Sequence, residues 1–343
     1  MTSQYSTFFS KMQVLRGIGI LLVVLGHSFP GVDSESGNVY GIIHRFIYSF
    51  HMPLFFFISG FFAIKLLKMK TLKENANFMK QKAMRLLVPY LLVSLLGLPI
   101  KLIFDRFSER PAGGMDAILN IILYPTNNAV IALWFLYTLF LVFLVMLLVL
   151  RINTYFLLPS LIILNVFAGF FPEIFNLSGV AQYCFYFYIG LLFRKRYQEF
   201  IGKINLYIGL FVGLVCLSFA SVYQINMPIV NLFISILGIM MSVSLAYLVG
   251  GRWGKWLEMF GNYSMGIYLF SWFPQVAIRI VLLQILNLPY MFVVLTIFIG
   301  GLTPVILEYL ILSKKTILFV LFLGKKSFLV LDQNDKTMAK FAK

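Results

Sequence analysis

The chain has 343 residues and three histidines, and all three fall within its first 51 positions: His27, His44 and His51. Imidazole titrates near neutrality and is a frequent general base, so this stretch is where proton transfer is to be sought. His27 follows Ile18–Gly26, a run made only of apolar residues and glycine. An ionisable group there is costly unless it faces protein or a wet cavity. Arg16 stands eleven positions upstream. At about 100° per residue, Arg16 and His27 lie within roughly 20° on one helix face and about 16 Å apart along its axis. One helix face thus carries a cation at one end and an imidazole at the other. A plainer reading makes Arg16 a snorkelling interfacial residue and the histidines interfacial polar groups.

Other residues could join this chemistry. Pro53 follows His51 within one turn and frees a backbone carbonyl. Ser59 and Gly60, further along the same segment, read as close-packing positions. Arg85 opens an apolar segment as Arg85-Leu86-Leu87-Val88-Pro89-Tyr90. Trp134 and Tyr137 open another, where an aromatic belt is the default reading. Ser264, Tyr268, Ser271 and Gln275 recur at i, i+4, i+7 and i+11, a polar stripe that either lines a cavity or forms a buried seam. Glu308 could pair with Arg16 or Arg85.

The elements that must position these residues are membrane helices. Hydrophobic residues make up 61% of the chain and charged ones 12%, too few for the surface of a soluble domain of this length. Apolar runs long enough to cross about 30 Å of hydrocarbon recur from end to end. The fold expected is all-α and integral to the membrane, with about ten spans at 12–30, 43–64, 84–104, 128–150, 154–171, 179–193, 205–223, 228–249, 259–280 and 289–312. The fifteen-residue span 179–193 must extend or tilt. Residues 1–324 read as one polytopic membrane domain and 325–343 as a short basic cytoplasmic tail, with 316–323 at the interface. The first apolar run, Val14–Phe29, lacks a small-x-small cleavage site and reads as an uncleaved first helix. Cys184 and Cys216 lie in apolar segments and read as small buried side chains, with no metal site expected.

The net charge of +16 does not point to nucleic acid, because the cations sit in short loops between apolar runs. With both termini cytoplasmic, only Arg45, Lys101, Arg106, Arg110 and Arg279 fall outside, leaving 23 of the 28 Lys and Arg residues inside. That asymmetry predicts the orientation and a multi-pass protein of the cell membrane.

Together these motifs resemble the acyltransferase-3 family of bacterial membrane O-acyltransferases, over roughly residues 10 to 313. Arg16 and His27 match an Arg-x10-His signature. His51-Met52-Pro53-Leu54-Phe55-Phe56-Phe57-Ile58-Ser59-Gly60 matches a phenylalanine-rich Ser-Gly motif. Arg85 to Tyr90 matches an Arg-x3-Pro-Tyr segment, and Trp134-Phe135-Leu136 and Ser264 to Ser271 match two later motifs. Many relatives have a histidine where this chain has Ser271, so a second catalytic histidine there is excluded. The chain shows no extra extracytoplasmic hydrolase-like domain, which points to the single-domain type.

The resemblance implies transfer of an acyl group, usually acetyl, from cytoplasmic acyl-CoA to a hydroxyl of an extracytoplasmic or lipid-linked glycan. It implies His27 as general base, with His51 as the next candidate. Arg16 and Arg85 would face the CoA side as cations for a polyanion. Trp134, Tyr137, Ser264, Tyr268 and Ser271 would line the acceptor cavity. Acyl-CoA enters as co-substrate, and no permanently bound cofactor is expected. The competing reading is a secondary transporter or exporter, since intramembrane Arg, His and Glu also suit a proton-coupled carrier. The lack of an internal repeat and the clustering of the histidines count against it. A glycan polymerase would be expected to carry a longer outer loop.

Overall fold

A backbone in hydrocarbon has no water to bond, so a composition this apolar can satisfy its amides only within helices or a closed barrel. The computed structural model describes residues 2–29, 39–104, 116–201, 205–310 and 323, and forms no strand among them. The helices are α1 (Thr2–Gly26), α2 (Val39–Tyr48), α3 (His51–Phe61), α4 (Leu72–Ile103), α5 (Asp116–Ile122), α6 (Trp134–Val149), α7 (Thr154–Val166) and α8 (Leu177–Ile201). They continue as α9 (Leu206–Val222), α10 (Pro228–Leu248), α11 (Gly251–Asn262), α12 (Ser264–Phe270), α13 (Trp272–Arg279), α14 (Tyr290–Leu302) and α15 (Pro304–Leu310).

Among the described residues, five helical stretches are long and apolar enough to cross a membrane, and a sixth if the bent pair after Ser264 is one span. Shorter apolar helices cover Thr154–Val166, Leu206–Val222 and Val293–Tyr309. The fold is therefore all-helical with several membrane-length spans. Side chains such as Leu148, Phe156, Phe211 and Leu295 are exposed on its outside, where an apolar surface of this extent suits lipid. The tail at 325–343 lies outside the described residues, as does the segment 316–323 apart from Leu323, which is buried. Cys184 and Cys216 are free thiols.

Three of the expected spans are broken, and each has a proline beside one of its breaks. Span 43–64 divides into α2 and α3 at Ser49-Phe50. Pro53 has no N–H for the carbonyl of Ser49, and the hydroxyl of Ser235 on α10 donates to it instead at 2.8 Å. Span 259–280 starts earlier, at Gly251, and falls into α11, α12 and α13. Pro274 deprives Phe270 of its donor, and the axis bends by 42° between Ser264–Phe270 and Trp272–Ile285. Span 289–312 divides at Thr303-Pro304. There the Gly300 carbonyl, which Pro304 deprives of its i+4 donor, accepts the Thr303 N–H at 3.1 Å and the Thr303 hydroxyl at 2.7 Å. Span 179–193 does extend, into the 25-residue α8.

Glycines set the two closest helix crossings. A Cβ at Gly17 of α1 would strike the carbonyl of Leu257 on α11, and one at Gly261 would strike the carbonyl of Gln13. In the same way Gly60 of α3 meets the Phe187 carbonyl of α8, and Gly190 meets that of Phe57. Backbone rests on backbone at both crossings, as small residues permit in membrane proteins. These contacts place α1 and α3 side by side around one apolar cluster that includes Met12, Leu15, Phe50, Phe56 and Phe187.

Gly17→Ala, Gly60→Ala, Gly190→Ala and Gly261→Ala should each cost several kcal/mol, since rigid backbone has to move. Gly254→Ala is the control: its Cβ would lie 3.5 Å from the nearest atom, an ordinary contact in a helix interior. It should be neutral or stabilising by up to about 1 kcal/mol. Thermal unfolding and size-exclusion profiles in detergent measure both outcomes.

Candidate functional site

The last turn of α1 leaves carbonyls without helical donors. Two side chains from α13 take them. Gln275 donates its amide to the carbonyl of Val24 at 2.9 Å, and Arg279 donates to the carbonyl of His27 at 2.9 Å. Ser28 turns its own hydroxyl back to Val24 at 2.6 Å. A cation at a helix C-terminus also meets the negative end of the helix dipole. His27 is thereby fixed by its backbone just beyond the end of α1.

Tyr48, the last residue of α2, gathers the histidines. Its hydroxyl lies 3.4 Å from Nδ1 of His27. Its ring stacks on His44 at 3.9 Å and meets His51 edge-on at 4.7 Å. His51 is buried, and its Nδ1 is 2.9 Å from the carbonyl of Ile47. A carbonyl only accepts, so Nδ1 of His51 carries the hydrogen, and in the neutral ring Nε2 keeps the lone pair. His27 is more accessible than His51. The three imidazoles surround a tyrosine, and among the described residues no three His, Cys, Asp or Glu side chains are grouped to hold a metal ion.

A second cluster gathers around Arg16. Its guanidinium donates to Gln13 at 3.1 Å and lies 4.7 Å over the ring of Phe62. Its charge is near enough to Arg85 for the two to repel. Lys82 sits 3.9 Å over Phe143 and feels the charges of Arg85, Lys65 and Arg16. No carboxylate pairs with any of these four cations among the described residues. Aromatic faces offset part of the cost through cation–π attraction, but net positive charge remains. Glu308 is elsewhere: buried, it accepts the backbone N–H of Gly266 at 3.2 Å.

A cavity of about 910 Å³ opens beside the imidazoles. His44, Arg45 and Tyr48 of α2 form one wall, Gln182, Tyr183 and Tyr186 of α8 another. Gln224, Asn226 and Asn231, around the α9–α10 turn, form a third. Its lining does not include Trp134, Tyr137, Ser264, Tyr268 or Ser271. Trp134 stands one ring behind it, 5.6 Å from Tyr183, and Tyr137 lies 5.4 Å from Tyr90. Ser264, Tyr268 and Ser271 are buried. Tyr268 donates its hydroxyl to the carbonyl of Ala132, so with Gln275 the polar stripe bonds backbone groups of neighbouring elements.

Tyr48, Arg279, Lys65 and Lys82 join the two clusters without having been singled out in the sequence. His44, Tyr48 and His51 recur at i, i+4 and i+7, and Lys82 precedes Arg85 by one helical turn, so helical spacing carried a signal for two of them. Arg279 and Lys65 reach their places only through tertiary packing.

Residues 9–311 match the family model described as an acyltransferase domain. A 211-residue stretch is 26% identical to the nodulation protein NolL of Mesorhizobium japonicum. It covers 59% of this chain and 52% of NolL, so the match spans about half of that relative's length. No solved structure matches the chain.

Gln275→Leu should loosen the last turn of α1 by leaving the Val24 carbonyl and the Ser28 hydroxyl with one partner fewer. The expected loss is roughly 1 kcal/mol. Hydrogen exchange at residues 24–28 should rise ahead of global unfolding. Unchanged protection there would show that α13 does not hold this turn.

Proposed function

The chain belongs to the acyltransferase family, and on that premise we propose that it moves an acyl group, acetyl by preference, from cytoplasmic acyl-CoA to a sugar hydroxyl. The acceptor is an extracytoplasmic or lipid-linked cell-envelope polysaccharide. One observation carries this reading: at Arg16, α1 meets a cation cluster that no carboxylate pairs with among the described residues, and about 16 Å along its axis an imidazole cluster around His27. A polyanionic donor suits the first, and a weak oxygen nucleophile needing a base suits the second.

In this mechanism Arg16 and Arg85, with Lys65 and Lys82, hold the phosphates of CoA at the cytoplasmic surface. The pantetheine arm threads inward and presents its thioester near His27. His27, with its hydrogen on Nδ1 toward Tyr48, takes the proton of the acceptor hydroxyl on Nε2. The sugar oxygen bonds to the acyl carbon and the carbon–sulfur bond breaks. The thiolate leaves and takes the proton back from the imidazolium, so a glycan ester and free CoA result. CoA itself never crosses the membrane. His51 is the alternative base, with its Nε2 lone pair. The topology that goes with this reading has ten spans, with both termini cytoplasmic in the cell membrane. The 42° break after Phe270 would also suit a carrier, but a carrier would move solute without consuming a donor.

The division of labour is testable with purified variants and inverted vesicles supplied with labelled acetyl-CoA. Arg16→Ala and Arg85→Ala should each weaken acyl-CoA binding roughly tenfold or more, the value of a charge-assisted contact. Arg16→Lys should restore only part, because an ammonium cannot reproduce a planar fork. His27→Ala should leave binding nearly unchanged and lower transfer by about 10²–10⁴. Equal loss of CoA affinity in the Arg16 and His27 variants would sink this assignment.

Orientation has its own test, in a background carrying C184A and C216A. A membrane-impermeant maleimide should label Glu173→Cys on intact cells, and Lys73→Cys and Arg196→Cys only after permeabilisation. Labelling of Lys73→Cys from outside would reverse the topology and remove the donor from the Arg16 side.

A further inference from the structure

The 910 Å³ cavity is at the upper end of the range of about 300–1,000 Å³ for small-molecule sites. Its lining is unusual for a membrane helix bundle, because five side-chain amides converge there: Asn165, Gln182, Gln224, Asn226 and Asn231. Gln224 and Asn226 lie in the α9–α10 turn, but Asn165 and Gln182 lie within α7 and α8, where side chains this polar are expensive in a membrane bundle unless they serve a wet or liganded space. The amide of Gln182 has no protein partner among the described residues, while Asn231 donates to Asn226 at 2.9 Å. Three tyrosine rings, Tyr48, Tyr183 and Tyr186, add flat apolar faces with polar tips.

Charge is nearly balanced. The one arginine, Arg45, donates its Nε–H to the carbonyl of Ser221 at 2.8 Å, and the one carboxylate, Glu173, accepts from the Ser178 hydroxyl at 2.9 Å. Amides that both donate and accept, beside aromatic faces and without excess charge, match a chain of hydroxyls on apolar ring carbons. Tyr48 belongs to both places. It lines the cavity, is 40% exposed, and sets its hydroxyl 3.4 Å from His27.

We propose that this cavity is the acceptor subsite, built for an uncharged stretch of oligosaccharide, and that Tyr48 is the positioning residue joining it to the imidazoles. The proposal rests on the acyl-transfer reading for its role but not for its ligand class. Sugar units lie along the amides of α8 and the α9–α10 turn. The terminal hydroxyl then passes the edge of Tyr48 toward His27, whose ring orientation Tyr48 maintains.

Gly169 supplies a plug. It lines the cavity, its φ is not positive, and nothing stands within 4 Å of a Cβ built on it, so Gly169→Trp should fold normally and fill the space. Full-length protein in nanodiscs would be titrated with an uncharged N-acetylglucosamine tetrasaccharide, an uncharged glucose tetrasaccharide and a galacturonate tetrasaccharide. An uncharged probe should bind best. Its affinity should fall tenfold or more in Gly169→Trp and several-fold in Gln182→Ala, with acyl-CoA binding unchanged in both. In the vesicle assay Gly169→Trp should raise the acceptor KM. Tyr48→Phe should instead leave sugar affinity within about twofold, lower kcat and shift the pH profile of transfer. Preference for the acidic probe, lack of binding by either uncharged probe, or equal binding to wild type and Gly169→Trp would overturn the subsite. A Tyr48→Phe enzyme with wild-type kcat and pH profile would overturn the role of Tyr48. Plug-sensitive sugar binding without donor-dependent transfer would keep the cavity and reject the acyl-transfer reading. Transfer indifferent to the plug would do the reverse.

Discussion

Contact of bare backbone with bare backbone, at Gly17–Leu257 and Gln13–Gly261 on one side and at Gly60–Phe187 and Gly190–Phe57 on the other, is the constraint the remaining structure depends on. In lipid there is little hydrophobic force between helices, so packing and polar contacts must bring them together. The first crossing lies beside Arg16 and fixes the helix that also carries His27. The second lies in the helix that begins at His51. Both helices that lead to the imidazoles are thus held against a neighbour with no room for a side chain between them.

Proline breaks supply the polar edges that this rigid frame needs. A broken helix exposes carbonyls, and exposed carbonyls at membrane depth must be met by protein. Ser235 meets Ser49 beside the break before His51, and Thr303 meets Gly300 before Pro304. Gln275 and Arg279 meet the end of α1. Each partner except Thr303 comes from a different helix, so the irregular points tie the bundle together. They also create the turns at which His27, Tyr48 and His51 converge.

Charge is separated along the same frame. Cations collect around Arg16 against the faces of Phe62 and Phe143, and imidazoles collect around Tyr48 next to an amide-lined cavity. On the proposed reading such separation suits donor and acceptor, because a polyanion and a neutral glycan ask for opposite surroundings.

Much of this was legible in the residues themselves. Apolar length and low charge specify membrane helices because lipid leaves the backbone no other choice. Helical arithmetic aligns Arg16 with His27, and the missing N–H of Pro53 foretells a freed carbonyl at Ser49. The breaks within three spans were not legible, since proline marks a weak point without saying whether a neighbour will take the carbonyl. Nor was the meeting of Lys65 and Lys82 with Arg16, or of Arg279 with His27. The seam reading of Ser264, Tyr268 and Gln275 gained its bonds only when Ala132 and Val24 came within reach. Periodicity reports which face of a helix a residue occupies, and so the sequence by itself determined the all-helical, membrane-length character of the chain and the chemistry each face could offer. Which faces meet is decided by contacts between residues as distant as His27 and Arg279. Only the tertiary structure, through glycine crossings and captured carbonyls, could decide that.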